Sequence, residues 1–376
     1  MSKRFKSSRI VLEGGLLDGY VYVENGKITG VTAKDLPCEQ TVDCGDAYLA
    51  PGFVELHAHG GAGYDFGHCD AKGAEKAAAF HLAHGTTTLL ATLAAAPMAD
   101  MQAAIERLCK CTAENLRGIH LEGPYFSPAQ CGAQNTAFIT APIEEEYTPL
   151  LDTYGAYIKR WSYAPERDTN GAFCRALTAH GVIPSAGHTD AVASDMQTAV
   201  ANGCKLITHL YSCTSTVTRE KGYRRLGVIE YAYLNDDITA EIIADGAHLP
   251  PELIRMIVKI KGREKVCLTT DALSAAGLDA TEGELNGVKY IVEDGVCKLP
   301  DRSAFAGSIA TSDRLVRTCV KQVGLSVVDS VYMASTVPSA LLGVQKGRIQ
   351  QGFDADLVVF DEDIRVQAVY LRGESV

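Results

Sequence analysis

Two histidines one residue apart, in Pro51-Gly-Phe-Val-Glu-Leu-His-Ala-His-Gly, are the first residues of this chain whose spacing suggests chemistry. In an extended segment alternate side chains share a face, so His57 and His59 can offer two imidazole nitrogens to one cation. Glu122, in Ile119-His-Leu-Glu-Gly-Pro-Tyr, brings a hard carboxylate to the end of another apolar run, and Gly123-Pro124 stops that run from continuing. His188 in Ser185-Ala-Gly-His-Thr and His209 in Ile207-Thr-His-Leu-Tyr close two successive runs in the same way. Asp271, in Leu268-Thr-Thr-Asp-Ala-Leu, follows a fifth such run and is well placed to move protons. The bland reading makes each of these a satisfied buried polar group, which would require separate partners for three histidine clusters and two acids. A shared metal centre accounts for them together. The other histidines read as ordinary: His81 and His84 near a helix C-terminus, His68 and His180 in loops or at helix ends.

Such residues act together only if the elements before them end at one place. Short apolar segments alternate with alanine-rich helical ones, the pattern of repeated βα units. The strands fall near Phe53–Leu56, Thr87–Thr92, Gly118–Leu121, Lys159–Tyr163, Val182–Ser185, Leu206–Thr208, Ile238–Ala244 and Val266–Thr270. Eight is the number that closes a (β/α)8 barrel, in which polar residues at the C-terminal strand ends converge on one mouth. The chain's 376 residues suit a barrel of ~250 residues plus a smaller satellite. Strand patterning from Arg9 to about Leu49, with a hairpin signal at Asn25-Gly26, and again from Gly347 onward predicts a small β-sandwich domain built from both chain ends. The α/β reading therefore divides the chain into 1–50 and 346–376 for the small domain and 51–345 for the barrel, with a hairpin over Gly287–Leu299 turning at Glu293-Asp294-Gly295.

Composition excludes several functions. A net charge of −11 argues against nucleic-acid binding through broad electrostatics. The 12 cysteines are scattered without Cys-x-x-Cys pairs, which predicts reduced thiols and not a disulfide frame. No apolar run approaches membrane-spanning length and no leader follows the basic N-terminus, so the expectation is a cytoplasmic enzyme without a membrane partner.

Taken together, His57-Ala-His59-Gly, His120-Leu-Glu122-Gly-Pro, Ala186-Gly-His188-Thr, Thr208-His209-Leu-Tyr, Asp245-Gly-Ala-His248 and Thr270-Asp271-Ala-Leu resemble the N-acetylglucosamine-6-phosphate deacetylase family of the amidohydrolase superfamily, over essentially the whole chain. The resemblance implies hydrolysis of the N-acetyl group of an N-acetylhexosamine 6-phosphate, a sugar phosphate substrate and a homodimer. It implies a divalent metal (Zn, Fe, Mn or Co) held by Glu122, His188 and His209, with His57 and His59 allowing a second. Such an ion lowers the pKa of water from about 16 toward about 7. Asp271 would then act as base and afterwards as acid, and His248 would polarise the carbonyl. The chain departs from the family where Ser212-Cys213-Thr214 stands for the usual Asn-Ala-Met, and where Gly132-Ala133-Gln134 stands for Gly-Ala-His. Substrate contacts are expected from Ser212, Cys213, His248, and from Arg224 and Arg225 with Arg219 and Lys221 nearby, a cluster of cations suited to phosphate. Rival readings are an amidohydrolase acting on another N-acyl amino sugar, an N-acyl amino acid or a cyclic amide, and a noncatalytic sensor, which would have no need of Asp271.

Overall fold

The computed structural model describes residues 2–376. Eight parallel strands run β1 Phe53–Ala58, β2 Thr86–Ala94, β3 Leu116–Glu122, β4 Ile158–Tyr163, β5 Ile183–Ala186, β6 Leu206–Ile207, β7 Thr239–Ile243 and β8 Val266–Thr269. They are paired in that order. Every residue of β1, β2, β7 and β8 is buried, as expected for parallel strands covered on both faces. A helix follows each strand: α1 Ala71–Ala83, α2 Met98–Leu108, α3 Glu144–Tyr154, α4 Ala172–Ala179, α5 Ala193–Ala201, α6 Val228–Leu234, α7 Pro251–Lys261 and α8 Ser312–Thr318. The barrel closes between its first and last strands through an Ala58–Ala272 bridge, with Asp271 N donating to His57 O at 2.9 Å and His59 N to Ala272 O at 2.8 Å. The closing seam thus lies beside the residues singled out for chemistry.

Alternation along β4 shows how the layers divide. Trp161 faces outward, stacked on Tyr125 at 5.8 Å and edge-on to Phe173 at 5.1 Å, with Nε1 donating to Gly123 O at 2.9 Å. Arg160 and Ser162 face inward, and both are fully buried. The barrel interior under the mouth is accordingly polar, and Arg160, Ser162, His120 and Glu241 hydrogen-bond one another or their neighbours, as burial demands.

Strands from both chain ends form a second eight-stranded sheet: Lys3–Leu12, Gly15–Glu24, Lys27–Thr32, Gln40–Asp43 and Tyr48–Pro51 join Leu357–Phe360, Val366–Leu371 and Glu374–Ser375. Its own core gathers Phe5, Ile10, Val21, Val23, Leu49, Leu357 and neighbours. Asn25 and Gly26 both take positive φ (51° and 76°), the backbone a two-residue turn requires between right-twisted strands. Gly52 joins this sheet to β1; a Cβ there would come within 2.1 Å of Thr87 Oγ1, so no larger residue fits.

The hairpin after β8 is larger than its sequence suggested. Four antiparallel strands, Glu282–Leu285, Val288–Glu293, Val296–Lys298 and Phe305–Ser308, form a flap of sheet over the mouth. The first and last strands were missed because their short, glycine-interrupted patterns carry little alternation. Among the described residues no helix is long and apolar enough to cross a membrane.

Candidate active site

All the strand-end residues converge at the C-terminal mouth. Glu122 is the last residue of β3, and His57 lies within β1 with His59 just beyond it. His188, His209 and Asp271 each stand two residues past their strands, with φ of 47°, 29° and 49°. Left-handed backbone at a residue other than glycine costs of order 1–3 kcal/mol. Here it turns three side chains away from the strand direction and onto one another.

The result is a crowd of ligand atoms. Glu122 Oε1 lies 3.1 Å from His188 Nε2, 3.1 Å from His209 Nε2 and 3.3 Å from His57 Nε2. His188 Nε2 and His209 Nε2 are only 3.2 Å apart. On the other side, Asp271 Oδ1 lies 3.3 Å from both His57 Nε2 and His59 Nε2, and His59 Nε2 is 3.2 Å from Glu122 Oε2. Two groups result, Glu122–His188–His209 and His57–His59–Asp271, all of them buried. Donors held about 2.0–2.1 Å from a tetrahedral ion lie roughly 3.3–3.4 Å from each other, so these spacings are those of ligands around a cation.

The hydrogen bonds behind the rings support that reading. His188 Nδ1 donates to Gln130 O at 3.0 Å and His57 Nδ1 to Glu241 Oε1 at 3.2 Å, which leaves each Nε2 as the nitrogen that can face a cation once its proton is lost. His57 Nε2 is buried and, among the described residues, has no hydrogen-bond partner. Gln134 Nε2 donates to Glu122 Oε2 at 2.6 Å while its Oε1 accepts from Ala95 N at 2.9 Å, fixing the carboxylate from the loop that follows it. The residues therefore fit one or two divalent ions.

Electrostatics point the same way. Burial alone would lower the His57 and His59 rings, but the Glu122 and Asp271 carboxylates outweigh it and hold them at about 10 and about 9. Burial raises Glu122 and Asp271, yet the surrounding imidazoles bring both below their ordinary values, so Asp271 is ionised. Glu55, beneath His57, is pushed up to about 7 by burial, although it accepts from His57 N at 2.9 Å and Thr270 N at 2.8 Å.

A cavity of about 320 Å³ opens above these groups. It is lined by candidate ligands of both groups with Gln134, by Tyr211, Ser212 and Cys213, and by His248 with Leu285 and Phe305 of the flap. His248 Nδ1 is held by Asp245 Oδ2 at 2.9 Å and its ring packs on Phe305 at 4.6 Å, leaving Nε2 for a ligand. Ser212, Cys213 and His248 thus line the same cavity as the candidate cation-binding groups. Arg224 and Arg225 do not line this cavity. They lie on an exposed hairpin, Thr218–Glu220 with Tyr223–Arg225, where Arg225 pairs with Glu220; charge clustering reveals cations but not where a hairpin carries them. Among the bland histidines, His81 is fully buried, bonded to Gly60 O at 2.9 Å and lowered to about 4 by burial. Glu241, Arg160 and Phe305 are the site residues that motif spacing does not single out, and Gln134, marked in the sequence only as a departure from the family, is the partner of Glu122.

The amidohydrolase family model matches residues 48–376. The chain is similar to the N-acetylglucosamine-6-phosphate deacetylase of Bos taurus, 30% identical over 99% of this chain and 95% of the relative, and to that of Bacillus subtilis (strain 168), 31% over 98% and 95%. It is also similar to an N-acetylgalactosamine-6-phosphate deacetylase of Shewanella sp. (strain ANA-3), 29% identical over 98% and 94%. Among solved structures, a point variant of the Mycobacterium smegmatis N-acetyl-D-glucosamine-6-phosphate deacetylase in complex with N-acetyl-D-glucosamine-6-phosphate superposes with a TM-score of 0.92 at 30% identity, covering 100% of this chain and 99% of that one. The Thermotoga maritima enzyme gives 0.88 at 30%, covering 99% of each.

The proton affinities of His57 and His59 set a pH dependence for cation uptake. Both rings carry a proton below about 9 in the metal-free protein and must lose it to bind. Affinity at this group should therefore rise with pH up to that range and fall as pH drops. At about neutral pH, ion binding there should release about two protons, readable by calorimetry in buffers of different ionisation enthalpy. Buffer-independent heats would contradict the assignment.

Proposed function

We propose that this chain, which belongs to the amidohydrolase family and to its N-acetylglucosamine-6-phosphate deacetylase branch, hydrolyses the N-acetyl group of an N-acetylhexosamine 6-phosphate, most directly N-acetylglucosamine 6-phosphate, to glucosamine 6-phosphate and acetate. The observation that carries this is the meeting of both cation-binding groups at Glu122 and Asp271, in the lining of a cavity large enough for one sugar. In this reading residues 51–345 carry the chemistry, and 1–50 with 346–376 form the small β domain.

Glu122, His188 and His209 would hold one divalent ion, and His57, His59 and Asp271 a second; nitrogen and carboxylate donors suit zinc, iron, manganese or cobalt. When bound, the metal supplies Lewis acidity toward the carbonyl and makes water a stronger acid. Asp271, ionised and buried beside His57 and His59, takes a proton from the attacking water as its oxygen forms a bond to the acyl carbon. It returns that proton to the departing nitrogen as the C–N bond breaks, giving a neutral amine and acetic acid, which ionises to acetate in water. His248, its Nδ1 anchored on Asp245, turns Nε2 toward the carbonyl oxygen and polarises it where negative charge develops. Ser212 and Cys213, which line the same cavity, contact the sugar.

The 6-phosphate is assigned to Arg224 or Arg225, which suit it because guanidinium groups bind phosphate with paired hydrogen bonds. Since both lie outside the chain's own cavity, the hairpin would serve a partner's site within a homodimer. Exposed Val217 and Tyr223 on the hairpin, with Leu234 on α6 and Met256 and Ile260 on α7, supply apolar surface for such a contact. A cytoplasmic location is supported by 12 cysteines that are all free among the described residues.

Two variants test the roles. Asp271→Asn should retain the ion at Glu122–His188–His209 and lose ~10²–10⁴-fold in kcat with KM little changed, measured by amine release; near-normal turnover would remove Asp271 from the mechanism. Arg224→Ala combined with Arg225→Ala should raise KM for the phosphorylated sugar by ~10-fold or more and leave its unphosphorylated analogue unaffected. Equal effects on both sugars would contradict the phosphate assignment.

A further inference from the structure

Beneath the site, inside the barrel, Arg160 of β4 and Glu241 of β7 form an ion pair with neither side chain exposed. Arg160 Nη1 donates to Glu241 Oε2, and Nη2 donates to Glu241 Oε1 at 3.0 Å and to Thr208 Oγ1 at 2.9 Å. Its Nε donates to Ser185 Oγ at 3.1 Å. Taking two charges out of water costs several kcal/mol each, and apolar residues of similar volume are often as stable in such a place. Stability alone therefore does not explain a charged pair at this depth.

The remaining contacts of Glu241 do. Its Oε1 accepts from His57 Nδ1 at 3.2 Å and from His209 N at 3.1 Å, so a single oxygen touches one member of each cation-binding group. Among the described residues His57 Nδ1 has no other hydrogen-bond partner. Its ring stands edge-on to His120 at 4.6 Å, and both nitrogens of His120 are engaged, Nδ1 with Thr92 Oγ1 at 3.2 Å and Nε2 with Ser162 Oγ at 2.8 Å. With the proton fixed on Nδ1, the lone pair of His57 Nε2 points between Glu122 and Asp271. A carboxylate behind an imidazole also makes the ring a stronger donor toward a metal.

We infer that Glu241, held in place by Arg160, is a positioning residue that prepares His57 for the second cation and sets that cation's affinity. The inference rests on the two-ion reading above. It differs from a structural role in one respect: loss of Glu241 should weaken the His57–His59–Asp271 ion far more than the other, because only His57 is held through its side chain.

The test is titration of chelator-stripped protein with Zn²⁺ against a competing chromophoric chelator, with circular dichroism to establish folding. The parent should take up two equivalents. The double variant Glu241→Leu with Arg160→Met, which replaces the ion pair by apolar groups, should bind the second equivalent ~10–100-fold more weakly and the first within about threefold of the parent. Parent-like affinity for both ions in the folded variant, or equal weakening of both, overturns the inference. Should that variant not fold, Glu241→Gln with Arg160→Gln retains an acceptor oxygen but no charge, and an unchanged second affinity there overturns it equally. A parent protein that takes up only one equivalent overturns the two-ion reading and this inference with it, whereas a parent that takes up two and variants that bind the second with parent-like affinity overturn the inference alone.

Discussion

Four imidazole nitrogens and two carboxylates point their lone pairs at one another across distances of 3.1 to 3.3 Å, and the rest of the mouth is arranged around that crowding. Without positive charge between them such atoms repel, and burial removes the water that would otherwise screen them. Protons can supply that charge, which is why His57 and His59 hold theirs so tightly; divalent ions supply it more effectively. The left-handed backbone at His188, His209 and Asp271 costs up to a few kcal/mol per residue. A tightly held structural zinc ion returns about 10–16 kcal/mol in small domains, so ion binding on that scale exceeds the strain.

The barrel delivers this arrangement because parallel strands end together. Its closing seam couples architecture to chemistry directly, since Asp271 N donates to His57 O and one residue from each side of the seam joins the same cation-binding group. Below the seam, polar side chains replace the usual branched apolar filling. Arg160, Ser162, Thr208, Glu241 and His120 form a connected network, and the rings above inherit their orientation from it. Above it, the flap that follows β8 places Leu285 and Phe305 over the cavity.

Much of this was legible in the sequence, for identifiable reasons. His57 and His59 share a face because a strand repeats every two residues, and the strand-end positions of Glu122, His188, His209 and Asp271 follow once eight βα units are recognised. What remained hidden depends on contacts between distant segments. In the sequence Arg160 and Glu241 are single charges within apolar runs, although a charged residue in a strand buried on both faces signals an internal partner. The Asn286-Gly287 pair, with φ of 46° and 85°, is a hairpin signal equal to Asn25-Gly26 and marks the flap strand that the sequence reading left out. Arg224 and Arg225 show the reverse case, in which local charge was visible but the exposed hairpin that carries it away from the cavity was not.

The central claim is that these residues form a deacetylase site for a phosphorylated amino sugar. The most direct measurement is acetate release by metal-reconstituted protein from N-acetylglucosamine 6-phosphate, N-acetylgalactosamine 6-phosphate and their unphosphorylated counterparts. The account predicts metal-dependent turnover of a 6-phosphate sugar, with kcat/KM at least ~10-fold above that of the same sugar without phosphate. Absence of acetate from every sugar in the fully metallated protein, or equal turnover with and without phosphate, would contradict it.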